Sequence, residues 1–141
     1  MSWIYNGVVF TDEMIPDGAV GFIYEMSTIL NGQSYSYVGK KNFHASIKKK
    51  IGKKAMPTDK RMKKYTRVSK ASYQNYYSSN ETLKKAHKDG NLIKRTILKI
   101  CFSKTELTYN EVKYQFTLGV LENDRYLNGN ILGRFYKQNK I

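Results

Sequence analysis

The chain has 141 residues, 40% hydrophobic and 13% aromatic, with 25 Lys and Arg against 11 Asp and Glu for a net charge of +14. That composition suits one domain with a modest core, and a small domain so basic calls for a polyanionic partner, nucleic acid first and an anionic membrane surface second. No stretch is apolar for long enough to span a bilayer, the opening MSWIYNGVVF lacks the charged-then-apolar order of a signal peptide, and the single Cys101 leaves neither an internal disulfide nor a cysteine zinc site.

Trp3–Phe10 reads as short strands around Asn6-Gly7, a hairpin-type turn pair, and Pro16-Asp17-Gly18 reads as a second turn. AVGFIYEM (19–26) is rich in β-formers, Asn31-Gly32 is a turn, and SYSYVG (34–39) alternates tyrosines. A hairpin of Val20–Met26 with Tyr35–Val38 is therefore predicted, with Ser27–Leu30 lengthening its connection beyond two residues. Lys40–Lys70 is different in kind, holding 13 of the 25 basic residues in 31 positions against Asp59 alone. Gly52 and Pro57 interrupt it, which predicts a short helix followed by a mobile basic loop over about 44–70.

Asn80 is a predicted cap for a helix through about Lys88, ended by Asp89-Gly90. LIKRTILKICF (92–102) follows as a strand, with Cys101 as a small buried hydrophobe. Ser103 and Glu106 have capping-box spacing and should open a helix through ELTYNEVKYQFTLGVL (106–121). On it Leu107, Tyr114 and Leu118 share a face with Glu111, and Val112 and Phe116 lie just round from them.

There is no phosphate loop, no Ser-His-Asp arrangement and no cysteine pair, and His44 and His87, far apart in the chain, read as solvated surface residues. Tyrosines, lysines, one mid-helix glutamate and late asparagines remain. Such a set cleaves a phosphodiester only if the glutamate holds a divalent metal, and magnesium suits one carboxylate completed by waters and phosphate oxygens. A tyrosine taking the proton of an attacking water needs its ordinary pKa of about 10 lowered, which neighbouring lysines would do. The residues alone leave simple binding and simple packing open, because basic runs also bind and strand tyrosines also pack.

The strings GFIY (21–24) and YVGKK (37–41), with 13 residues from Tyr24 to Tyr37, resemble the signature of the GIY-YIG nucleases. YYSS (76–79), the stretch from Gly90 to Phe116, RYLNGNI (125–131) and the lead-in WIYNGVVFTDEMI (3–15) are similar to the phage-encoded homing and Seg-like branch. The resemblance covers nearly the whole chain in the family's order. It implies an α+β fold, a small three-stranded antiparallel central sheet flanked by helices, and one nuclease domain over 1–141. It further implies that Tyr24 acts as general base or orients the water, and that Tyr37 hydrogen-bonds the scissile phosphate or the water's other side. Gly39 would close the strand near the site, and Glu111 would bind a single divalent ion, Mg²⁺ or Mn²⁺. Asn128 would help position the site, with Asn130 as the alternative, and Tyr77 falls where the intron-homing branch has a histidine before two serines.

Two departures stand out. Phe22 replaces the first glycine of GIY, with Gly21 one place earlier. The family's helix after YIG presents an arginine to the phosphate, whereas NFHASIKKKIGKK (42–54) has none, so Lys48 or Lys49 would substitute, or Arg61 if the basic loop folds back. Lys40, Lys41, Lys50, Lys53, Lys54, Lys60, Arg61, Lys63 and Lys64 would track phosphates. The activity implied is a metal-dependent endonuclease on double-stranded DNA, a site-specific nicking enzyme of a phage or other mobile element. It would be a monomer or weak dimer, away from membranes, in the cytoplasm of the infected bacterial host. A chain of this length is expected to leave no room for a separate DNA-reading domain. The rival expectations are a DNA-binding protein that kept the fold without catalysis, and a basic module acting on RNA or protein.

Overall fold

The computed structural model describes residues 2–50, 65–71 and 73–137, with the backbone alone considered for 45–50 and 65–71. The chain enters through β1 (Trp3–Tyr5) and β2 (Val8–Val9). Asn6 and Gly7 turn between them at φ 51° and 79°, the positive angles that the Asn-Gly pair tolerates best. A 3-10 turn (Asp12–Met14) and the Pro16–Gly18 turn lead into β3 (Gly21–Leu30) and β4 (Gln33–Asn42). The hairpin is longer than predicted and its connection shorter. Ser27–Leu30 continue the strand, and Asn31-Gly32 alone make the turn. Thr28 shows why the strand persists, since its buried hydroxyl donates to the Leu92 carbonyl at 3.0 Å.

The predicted short helix after Lys41 is instead a strand. β5 (His44–Lys50) pairs antiparallel with β6 (Tyr65–Ala71), Ile47 opposite Val68, and the rest of the expected basic loop, 51–64, lies outside the described residues. Aromatic packing anchors the His44–Ala71 end of this ladder. Phe43 precedes β5 and Tyr73 follows β6, both buried, with their rings perpendicular at 5.3 Å. The Trp3 indole N–H also donates to the Tyr73 carbonyl at 2.9 Å.

α1 (Glu81–Lys88) starts where expected, the Asn80 side chain accepting from the N–H groups of Thr82 and Leu83. β7 (Lys94–Cys101) follows, then α2 (Lys104–Thr117), capped by Ser103 Oγ accepting from Glu106 N–H at 3.0 Å. α2 stops four residues short of the predicted end, because Leu118 closes it and Gly119 turns away at φ 63°. β8 (Asn130–Ile131) and β9 (Phe135–Tyr136) finish the described chain.

The sheet order is β2-β1-β7-β3-β4, all antiparallel except β1 beside β7. The expected three-stranded antiparallel unit is present as β4-β3-β7. The N-terminal hairpin widens it to five strands and makes it mixed, since burying Trp3 lays β1 along β7 in parallel. One face of the sheet carries an aromatic core of Trp3, Phe10, Phe22, Tyr24, Phe43 and Tyr73. The other, under α2, packs Ile23, Val38, Cys101, Leu107, Val120 and Ile131. Cys101 is the small buried hydrophobe expected. Among the described residues no helix is long and apolar enough to cross a membrane.

Candidate active site

The β3–β4 register sets the site. Tyr24 lies opposite Gly39, Met26 opposite Tyr37 and Phe22 opposite Lys41. Directly opposed residues share a face, so Tyr37, Gly39 and Lys41 stand in a row on the face of Tyr24. Gly39 is required by contact. A Cβ there would lie 2.6 Å from the Tyr24 hydroxyl, so only glycine lets that ring cross the strand. Tyr24 is 1% exposed, its ring centroid 6.3 Å from that of Tyr37.

Tyr77, expected at the site because it falls where the intron-homing branch has a histidine before two serines, is not brought to this row. Its ring lies flat on the exposed His87 at 3.6 Å, with the Arg95 guanidinium 4.2 Å from its centroid. Tyr76 stands there in its place, its hydroxyl 3.2 Å from that of Tyr24 and its ring edge-on at 5.7 Å. Arg95, 4% exposed, fixes this choice by donating to the carbonyls of Gln74 (2.7 Å) and Tyr76 (3.0 Å). Ser78, next in line, takes φ 77° and turns the chain toward α1.

Glu111 arrives from the opposite face, around the edge of β4. That strand is last in the sheet, so its outward backbone groups need other partners. Ser36 N–H donates to the Arg125 carbonyl and Leu127 N–H to the Ser36 carbonyl. Asn128, 2% exposed, grips Val38 twice, its Oδ1 accepting from Val38 N–H at 3.0 Å and its Nδ2 donating to the carbonyl at 2.8 Å. Gln115 Nε2 donates to that same carbonyl at 3.0 Å. The next outward group, Lys40 N–H, donates to the half-buried Glu111 carboxylate. The chain from Val38 to Lys40 is thus fixed by α2 and the 125–128 segment, and Glu111 is held at this edge close enough for its charge to act on Tyr37. Asn130, the alternative expected for this position, has its Oδ1 accepting from Gly133 N–H within its own turn.

Burial governs the electrostatics. Desolvation, then the neighbouring Tyr76 hydroxyl, pushes the Tyr24 phenol far above its ordinary pKa. Desolvation also raises Tyr37, against a hydrogen bond with the Ser79 side chain that lowers it, and the nearby Glu111 charge adds to the rise. The lowering expected from neighbouring lysines is overturned, because buried phenols resist ionising. Desolvation raises Glu111 too, opposed by the Lys40 ammonium and the Lys40 N–H bond.

The remaining predicted residues are spread around this centre. Lys40 points to the α2 face, its ammonium donating to Thr108 Oγ1 at 2.9 Å, and Lys41 lies over the Tyr76 ring at 4.9 Å. Lys40, Lys41 and Lys104 line one cleft of about 380 Å³ beside Leu107 and Thr108. Lys48, Lys49 and Lys50 are on β5, while Lys53, Lys54, Lys60, Arg61, Lys63 and Lys64 lie outside the described residues. Arg95 is engaged with Trp3 and Tyr77, and Arg125 lies 5.7 Å over Tyr35.

Among the described residues no group of three or more His, Cys, Asp or Glu could hold a metal. A lone half-buried carboxylate does not make the protein cage of a zinc or calcium site. It does fit an ion that keeps most of its waters, as magnesium does. Sequence reasoning misses Tyr76 and Gln115. Gln115 carries a signal, a polar residue one helical turn beyond Glu111. Tyr76 and Tyr77 are chemically alike, and what tells them apart is tertiary: Tyr76 meets the Tyr24 hydroxyl, whereas Tyr77 stacks on His87 beneath Arg95.

The family model described as "Putative endonuclease segE, GIY-YIG domain" matches residues 3–131. No curated protein and no solved structure matches the chain.

Proposed function

This chain belongs to the GIY-YIG endonuclease family, in its Seg-like branch, and on that premise we propose that it is a metal-dependent DNA endonuclease that nicks one strand at a time. One observation carries the reading: the hydroxyls of Tyr24 and Tyr76, with Tyr37 beside them, gather over Gly39 at the edge of β4, near Glu111. A buried phenol with a raised pKa does not stand as phenolate at neutral pH. Tyr24 therefore orients the attacking water through its hydroxyl, and Tyr37, at the rim, hydrogen-bonds a phosphate oxygen. Glu111 would hold one Mg²⁺ or Mn²⁺, which when bound would supply charge stabilisation of the leaving oxygen. Asn128 contributes by fixing Val38, between Tyr37 and Gly39, and touches no substrate. Tyr77 supports Tyr76 from behind through Arg95. A lysine takes the place of the family's arginine over the phosphate. The basic ladder and the 51–64 segment track double-stranded DNA, and the protein works on phage or host DNA in the cytoplasm of the infected cell, as a monomer or weak dimer.

The test is supercoiled plasmid, and then the DNA of the infecting phage and its host, with and without Mg²⁺. The parent should yield open circles only with metal, and Glu111→Gln should lose about 10³-fold or more in rate. A parent that binds DNA but never cuts it would establish instead a binding protein on a nuclease fold. That outcome is the rival the absent arginine favours.

A further inference from the structure

We propose that Lys41, held in place by Tyr76, is the cation that faces the scissile phosphate, doing the work for which the sequence points to Lys48 or Lys49. The inference rests on the nuclease reading above and deepens it. Strand alternation supplies the first argument. Tyr37, Gly39 and Lys41 project from one face of β4, so Lys41 follows Tyr37 in the row by four residues, about 14 Å along the strand. Gly39 leaves the space between them to the Tyr24 ring. Lys41 therefore flanks the hydroxyl pair on one side as Tyr37 does on the other, which is where a phosphate held by those hydroxyls needs positive charge.

Tyr76 supplies the second argument. The Lys41 ammonium lies 4.9 Å from the centroid of the Tyr76 ring, whose hydroxyl meets that of Tyr24 at 3.2 Å. A cation over a tyrosine face is attracted by the ring's quadrupole. Tyr76 is thus a positioning residue for Lys41, and Arg95 holds Tyr76 through its carbonyl at 3.0 Å. Lys40 cannot take this part. It alternates to the other face, bonds Thr108 at 2.9 Å and serves as counter-charge to Glu111.

Single-turnover cleavage at saturating enzyme separates chemistry from binding. Lys41→Ala should slow the cut about 100-fold or more while DNA affinity, measured separately, changes by less than about 5-fold. Lys41→Arg should recover most of the rate, because arginine keeps the charge and stacks well on tyrosine. Tyr76→Ala should reproduce the Lys41→Ala loss, and adding Lys41→Ala to it should cost little more. The Lys48→Ala/Lys49→Ala pair should weaken binding and leave the saturated rate within about 3-fold. If Lys41→Ala unfolds the chain, Lys41→Met keeps the stem without the charge and carries the same expectation. Cleavage by Lys41→Ala or Lys41→Met at the parental saturated rate, or a loss confined to the Lys48/Lys49 pair, would overturn the proposal while Glu111→Gln still reports a metal nuclease. A parent that never cuts removes both readings together.

Discussion

At the scale of single residues, the candidate site depends as much on groups that never meet substrate as on those that do. Tyr24 can lie across β4 only because position 39 has no Cβ. Tyr76 meets Tyr24 only because a buried arginine takes its carbonyl. Asn128 is the sharpest case. Its two hydrogen bonds to Val38 are buried, and of the two Val38 groups the carbonyl has Gln115 as a second partner, while the N–H relies on Asn128 Oδ1. Asn128→Ala therefore strands a buried donor and should cost about 2–3 kcal/mol of stability in urea unfolding. Asn130→Ala removes an exposed bond to Gly133 N–H and should cost under about 1 kcal/mol. Equal losses for the two would contradict the clamp.

At the scale of elements, the turns and caps are legible because their chemistry is local. Asn6-Gly7, Asn31-Gly32, the Asn80 cap and the Ser103 cap can each be read from a few residues, and each is present. Gly119 offers an equally local stop signal for α2, but the apolar residues beyond it suggest a longer helix. β5 is not legible. HASIKKK has one large apolar residue, so neither a two-residue nor a helical period shows, and what makes it a strand is the distant partner that places Val68 opposite Ile47. Tyr24, Tyr37 and Glu111 are assigned by resemblance, and their meeting at the β4 edge depends on contacts between segments far apart in the chain. The ladder itself makes an expectation. Phe43 and Tyr73 belong to the core and pack against each other across the base of the ladder, so joining 45 to 71 by a short Gly-Ser turn should leave the fold intact. That segment carries 11 basic residues and one acidic one. Its removal should flatten the slope of log affinity for duplex DNA against log salt by about 0.9 for each phosphate it had neutralised. An unchanged slope would show that these lysines are solvated surface and that DNA is tracked elsewhere.

At the scale of the whole molecule, charge and the single Glu111 together determine how a duplex would be cut. Among the described residues one such carboxylate stands beside the hydroxyl cluster, and on the proposed reading it would serve one scissile phosphate. A second chain could bring a second, but two molecules of net charge +14 repel each other unless DNA neutralises them. Cuts in the two strands are then separate events. With enzyme limiting, supercoiled plasmid should pass into open circles that accumulate before any linear DNA appears, and the nicking rate should rise linearly with enzyme. Two chains acting in concert would instead give linear product without that lag and a rate rising with the square of enzyme concentration. Salt separates association from chemistry in the same assay. A protein held by several phosphate contacts loses about 10³-fold or more in affinity between 50 and 200 mM salt. The rate at low DNA should fall steeply over that range. The single-turnover rate at saturation should fall far less, because the tyrosine row and Glu111 are partly withdrawn from water and salt screens buried charges weakly. If both rates fell in parallel, the charges that matter to the cut would be the exposed ones, and the cluster at the edge of β4 would be the wrong place to look for the chemistry.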